Sequence, residues 1–438
     1  MSASSDPCAS PRCGTLPCYV TTFTAVATAI TFAASGGAPT PLYHQYQQHF
    51  GLTPFMITII FAAYVLSLLL ALLTVGSLSD YIGRRRAILA ALALNVLAMI
   101  LFMTAGSAIE LIAARAMQGF ATGLATTTLA ATILDTDRVR APILNSLTSF
   151  AGLSAGTLGA GALVTFAPAP EQLIFVLLLV LSVLEAAILW FMPETAMTKR
   201  GALASLRPHV HVPRIARRSF AAVTPVTIAS WALSGFYFSL MPSVVRAATG
   251  KALPIVGSLV VATLTFTAAI AVLVLRTLTP EKLFLLGIGT LVIGLLITLA
   301  GVQYQNLGVM LCGTVVGGVG LGSVFSGTLR RVLPYAEPGE RAGLLSAYYI
   351  VGYLSFSLPS LAAGFLAPFV GLTLTAEFYG IGVVLLAVLS LGITLPTHEA
   401  PSDQNALLDG RGACKRSQSI DRAYPKLCGE TSLSSMRG

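Results

Sequence analysis

Two polar residues interrupt one long apolar run of this chain. Arg115 and Gln118 stand three positions apart in Arg115-Ala116-Met117-Gln118-Gly119, a spacing that places both on one helical face. A guanidinium and an amide so placed can hold one anion or a set of carbonyls. A charge in hydrocarbon costs at least ~2.5 kcal/mol on insertion scales, so Arg115 either faces protein or water or snorkels to the nearer interface. Glu185 is the second isolated ionisable group, and a desolvated carboxyl is the type of group that takes up and releases a proton. Glu110, Glu171 and Glu377 fall near the ends of apolar runs and read as interfacial, and His44 and His49 read as loop residues. Asp80 lies in Gly76-Ser77-Leu78-Ser79-Asp80-Tyr81-Ile82-Gly83-Arg84-Arg85-Arg86. Gly76 and Gly83 remove side chains where the backbone must turn sharply or approach a neighbour, while Asp80, Arg84 and Arg85 supply charges for pairing or for gripping a helix end. No catalytic or metal-binding set is expected. The five-residue spacing of Cys8, Cys13 and Cys18 fits neither zinc nor redox chemistry. No Gly-x-x-x-x-Gly-Lys-[Ser/Thr] run is present, and no His/Asp/Glu cluster or Ser–Lys pairing occurs at depth. The expectation is a protein that is not an enzyme and has no cofactor.

The elements that carry these residues follow from composition. The chain has 438 residues, of which 55% are hydrophobic and 10% charged, against roughly 25% charged in soluble domains; its mean hydropathy is +0.82. These values exclude a soluble globule, a disordered chain and a collagen-like fibre, and make the lipid bilayer the main solvent. Apolar runs long enough to cross it, about 20 residues at 1.5 Å each, fall near 18–38, 55–78, 87–106, 109–134, 142–166, 172–192, 220–243, 253–275, 283–301, 306–329, 343–367 and 375–395. With the N-terminus cytoplasmic, 23 of the 26 Lys and Arg fall in cytoplasmic segments; Arg246 and Lys251 lie outside and Arg115 alone within a span. That asymmetry obeys the positive-inside rule and puts both termini in the cytoplasm. The net charge of +9 therefore reflects topology, and no nucleic-acid partner is expected. Residues 1–17 lack a basic segment followed by an apolar core, so no cleaved signal peptide is expected.

The longest internal connection, 194–219, is basic and contains Pro208 and Pro213. It divides a six-helix bundle over 18–193 from a second over 220–396; 1–17 form a cytoplasmic segment and 397–438 a polar, disordered cytoplasmic tail. A shift of 201 positions aligns Arg140-Ala141-Pro142 with Arg341-Ala342-Gly343, Gly119 with Gly320 and Asp80 with Glu281, as expected for duplicated halves of the same orientation around a central path. Span 11 starts near Gly343, so its positive dipole end lies in the same layer as Asp80.

The Gly76–Arg86 loop resembles the signature of the major facilitator superfamily, Gly-x-Leu-x-Asp-x-x-Gly-Arg-Arg, at every fixed position, and it falls between the second and third of twelve spans. Arg115-Ala116-Met117-Gln118-Gly119 resembles the Arg-x-x-Gln-Gly pattern of span 4, and Met192-Pro193-Glu194-Thr195 resembles the Pro-Glu-Thr ending of span 6 in drug/proton antiporter-like members. In span 5, Gly152, Gly156 and Gly161 match the exporter pattern Gly-x-x-x-Gly-Pro-x-x-Gly-Gly, with Thr157 in place of Pro and Ala160 in place of one Gly. Pro39-Thr40-Pro41 resembles a further element of such exporters.

The resemblance implies an all-α membrane protein with twelve transmembrane helices in two pseudo-symmetric six-helix bundles. It implies a conformational switch at Gly76, Asp80, Gly83, Arg84 and Arg85 that latches the halves together in the outward-facing state, and a link between Arg115, with Gln118, and proton coupling. Glu185 is the carboxyl available for the proton, although span 6 belongs to the outer scaffold in this family and span 1 lacks the acidic residue many exporters carry. Asn145, Trp231, Tyr237, Tyr349 and Tyr353 are the residues implied for the substrate cavity, together with Ser234, Phe238 and Phe356 on the same spans. Such a surface suits a small amphipathic or weakly charged organic compound, although aromatic residues in spans also serve packing and interfacial belts. The expectation is a monomeric, multi-pass protein of the plasma (bacterial inner) membrane that exports a small molecule against protons. A proton symporter or uniporter importing a nutrient is the alternative, and a non-transporting receptor of the same fold a second.

Overall fold

The computed structural model describes residues 18–394 apart from 196–200, 203–205, 207, 209, 252, 338 and 339. The segments 1–17 and 397–438, with Cys8, Cys13, Cys414 and Cys428, lie outside the described residues; Cys312 is an exposed free thiol.

Twelve long helices run through the described residues. They are α1 (Cys18–Gly37), α2 (Pro54–Thr74), α3 (Arg84–Thr104), α4 (Ala108–Thr136), α5 (Ala141–Phe166), α6 (Leu173–Trp190), α7 (Arg217–Ser239), α8 (Pro254–Val274), α9 (Pro280–Gln303), α10 (Leu307–Val332), α11 (Arg341–Val370) and α12 (Leu372–Thr394). Eleven are long and apolar enough to cross a membrane; α4, which carries Arg115, is not among them. With 29 residues it is about 43 Å long, ample for a crossing. Its Thr122, Thr126, Thr128 and Thr132 hydroxyls donate to carbonyls one turn back, so a threonine-rich helix keeps its hydroxyls satisfied without water.

Helix starts follow local chemistry. Thr53 accepts a bond from the Met56 amide just before Pro54, and Ser107, Thr279 and Asn306 cap α4, α9 and α10 in the same way. The connections after α1 and α7 are not plain loops. Each holds a short helix, Tyr43–Phe50 and Met241–Thr249, closed by a left-handed glycine, Gly51 at φ 63° and Gly250 at φ 66°. This repeated device lies about 200 positions apart along the chain.

Within the first group of six helices, α1 packs on α4, α5 and α6, and α4 also packs on α2 and α3; within the second, α10 packs on α7, α8 and α9, and α11 on α7. Between the groups the principal contacts are α2 with α11 and α5 with α8, two pairs that exchange when each helix is advanced by six. Leu177, Val180 and Leu184 on α6 and Leu385 and Leu389 on α12 are exposed, as lipid-facing positions must be.

Candidate functional site

At the end of the bundle where the basic residues gather, here the basic face, the 76–86 loop folds back onto its own helices. Gly83 has φ 100°, a backbone region costly for any other residue, and a Cβ there would collide with the Glu194 carboxylate. Glu194 sits at the start of α3, where its two oxygens accept from the backbone amides of Arg84 (2.6 Å) and Arg85 (3.2 Å). An anion is favoured at a helix N-terminus because the first amides have no helical partner. The Arg84 guanidinium, mostly buried, pairs with Asp80 at 2.5 Å and Asp135 at 3.3 Å and donates to the Ser79 hydroxyl. Arg85 donates to the Met192 carbonyl and lies over the Trp190 ring. Gly76 packs against Leu72 and Thr127. The switch residues therefore form one cluster, tied to α4 and α6. The expected grip of Asp80 on the start of α11 is not made in this structure: its carboxylate is committed to Arg84.

Arg115 is 1% exposed, so it does not snorkel. It donates to the Gly36 carbonyl (3.1 Å), to the Gln118 side-chain oxygen (2.8 Å) and to the Tyr43 hydroxyl, and lies over the rings of Tyr43, Tyr64 and Phe102. Gln118 in turn donates to the Ser35 carbonyl at 2.7 Å. Ser35 and Gly36 are in the last turn of α1, where carbonyls lack helical donors and the helix dipole is negative. The pair predicted from its i, i+3 spacing is thus a clamp on the end of α1.

Glu185 is 5% exposed and faces α1, not lipid: its Oε1 accepts from the Thr31 hydroxyl at 2.6 Å, while Oε2 has no hydrogen-bond partner among the described residues. One turn along α6, Ser182 accepts from the Asn95 amide, which also donates to the Ser35 hydroxyl. Thr31 and Ser35 lie one turn apart on α1. A buried polar set therefore runs from Ser182 through Asn95 and Ser35 to Gln118 and Arg115, and the Glu185–Thr31 pair lies one turn away from it on α6 and on α1.

The aromatic residues form a second centre. Trp231 on α7 meets Tyr353 edge-on at 4.8 Å and Phe356 at 6.0 Å; Tyr349 lies 6.0 Å from Tyr353, and Phe61 of α2 lies 5.1 Å from Phe356. Rings from α2, α7 and α11 thus converge where the two groups of helices meet. Tyr237 and Asn145 are not part of it. The Tyr237 hydroxyl lies 3.4 Å from Thr298 on α9 and 3.1 Å from Thr314 on α10, on the opposite side of α7. Asn145 donates to the Ala130 carbonyl of α4.

The family profile of the Major Facilitator Superfamily matches residues 24–279, more than half of the chain. The chain belongs to the Major Facilitator Superfamily. Among solved structures, a mutant of the nucleoside transporter NupG is similar, with a TM-score of 0.69 at 9% identity, covering 85% of this chain and 100% of that one. No curated protein sequence matches it. The superfamily fold, two pseudo-symmetric bundles of six transmembrane helices, accounts for the exchange of α2–α11 with α5–α8. The protein is an integral, multi-pass membrane protein of a small-molecule transporter family.

Several parts of this superfamily member's site are invisible to motif reading. Asp135, Asn95, Ser182, Thr31, Tyr43, Phe61 and Tyr64 carry no local signal. Glu194 is visible only as part of a Pro-Glu-Thr ending, although its carboxylate meets residues 109 and 110 positions earlier. The exporter-pattern glycines are better explained. A Cβ at Gly152 or Gly156 would strike α1 at Ile30 or Ala34, and one at Gly161 would strike Ser258 of α8, whereas Gly159, outside the pattern, faces open space.

Proposed function

We propose that this protein is a secondary transporter that works by alternating access and couples efflux of a small amphipathic organic compound to protons. The observation that carries the proposal is the ring-lined seam: Trp231, Tyr349, Tyr353 and Phe356 from the second bundle meet Phe61 from the first, at the surface that must part if the halves rock. The basic face is read as cytoplasmic, with both termini there, in the plasma (bacterial inner) membrane, and the monomer as the working unit. Glu185 is proposed as the proton carrier, because its Oε2 is buried without a partner among the described residues and it lies one turn from the polar set that ends at Arg115. The loop from Gly76 to Arg85 is proposed as the switch. Thr58 meets Gly364, and Phe55 meets Phe365, at the end opposite the basic face, while Asp80 is turned toward its own bundle. We read this as the state closed to the outside with the latch released.

The test uses purified protein in liposomes with a proton gradient of either sign. Proton-coupled export predicts substrate accumulation in inside-out vesicles with an acidic lumen, and its loss in Glu185→Gln while substrate exchange without a gradient persists. Accumulation that requires the opposite gradient would assign the importer reading instead, and exchange indifferent to protons a uniporter.

A further inference from the structure

We propose that the seam selects a planar, uncharged aromatic compound bearing a hydrogen-bond acceptor, and discriminates against organic cations. This rests on the transport reading above and narrows its substrate class. Five rings meet at the seam: Phe61, Trp231, Tyr349, Tyr353 and Phe356. Rings in a cage bind either other planar rings, by stacking worth ~0.5–1.5 kcal/mol each, or a cation over their faces. Charge placement decides between the two. The helices that carry the rings, α2, α7 and α11, contain no Asp or Glu, nor do α1, α5, α8 and α10. Glu185 is held against Thr31 on the far side of α1. A cation entering the seam would shed its water with no counter-ion to meet it, a loss that cation–π contacts do not repay.

The fixed charge held against α2 is itself positive. Arg115 lies 5.2 Å from the Tyr64 ring and pairs with no carboxylate among the described residues; its two terminal nitrogens donate to Gly36, Gln118 and Tyr43, while its Nε is buried without a partner. It therefore already occupies one face of Tyr64 and repels a second cation. It is also only 1% exposed, so it presents no open donor face to an anion. Tyr349 and Tyr353 complete the selection. Both are half-buried, and their hydroxyls have no hydrogen-bond partner among the described residues and are not sealed from open space. Two O–H donors beside these rings, without a protein acceptor among the described residues, fit a neutral carbonyl or ether oxygen on a flat ring.

Equilibrium dialysis of the purified full-length protein against three probes of one ring size tests this: 2-acetylnaphthalene, 2-naphthoate and (2-naphthyl)trimethylammonium. The ketone is expected to bind at least tenfold more tightly than the ammonium and the carboxylate. The double variant Tyr349→Phe/Tyr353→Phe keeps every ring and is expected to weaken the ketone about fivefold while leaving the other two unchanged, since each neutral hydrogen bond contributes about 0.5–1.5 kcal/mol. Equal or tighter binding of the ammonium or the naphthoate, no binding of the ketone, or a double variant that binds the ketone as wild type does, would overturn the assignment. These outcomes are separate from the transport proposal. A ketone that binds and is never moved would sink transport and leave the selectivity standing, and gradient-driven movement of the ammonium would do the reverse.

Discussion

Arg115 shows what a guanidinium does that an ammonium does not. Its donors reach three acceptors on three elements, the Gly36 carbonyl in α1, Tyr43 in the following short helix, and Gln118 beside it on α4. A lysine cannot span that fork. Arg115→Lys is therefore expected to lose at least tenfold in transport rate, because a buried acceptor left unpaired costs about 1–3 kcal/mol. A lysine variant at full rate would mean that charge alone matters. Glu194 makes the same point at the basic face, where its carboxylate closes the amides of Arg84 and Arg85. Glu194→Gln removes the charge from the helix start, worth about 1 kcal/mol. Hydrogen exchange at those two amides should speed up about fivefold, with exchange in the rest of α3 unaltered. The importance of Arg115 is legible in the sequence because a lone cation in an apolar run is expensive, and so is its bond to Gln118, from the spacing. Its grip on α1 is not, since nothing local says that the end of a helix about 80 positions earlier lies beside it. Tyr237 illustrates a different limit. Its type suits a cavity, but α7 is buried nearly all round from Val226 to Ser239, so its pattern does not reveal which face meets the seam.

Elements are more legible than sites. Twelve apolar runs give twelve helices, because a span must satisfy its own backbone and so must be both long and helical. The two short helices after α1 and α7 escape notice, since Tyr43–Phe50 is mostly polar and aromatic and lacks the length of a span. The glycines of α5 are a case where an element's contacts separate packing from pattern. Gly156 lets α5 approach the backbone of α1 at Ala34, while Gly159 has nothing within 4 Å. Gly156→Ala must push α1 and α5 apart, and overpacking of this kind costs about 1–3 kcal/mol. Gly159→Ala should be neutral or gain up to about 1 kcal/mol by stiffening the unfolded chain and favouring helix. Thermal unfolding in detergent should therefore show a lowered midpoint for the first variant and none for the second. Equal midpoints would mean that α1 and α5 are not held at this distance.

At the scale of the whole molecule, the two bundles share two seams, α2 with α11 and α5 with α8. Rocking requires that each seam part at one end while it stays closed at the other. At the end away from the basic face the seam is closed: a Cβ at Gly364 would stand 2.9 Å from the Thr58 Cβ, near the separation that a disulfide spans after a shift of about 1 Å. In a background from which the six native cysteines are removed, Thr58→Cys with Gly364→Cys should cross-link readily on oxidation. With this state read as closed only to the outside, the cross-linked protein should hold its substrate yet fail to move it, and reduction should restore movement. A bond at that place blocks only a motion in which this end opens. Full transport by the oxidised protein would mean that α2 and α11 stay together there throughout the cycle, and that the bundles do not exchange the substrate by parting at that end.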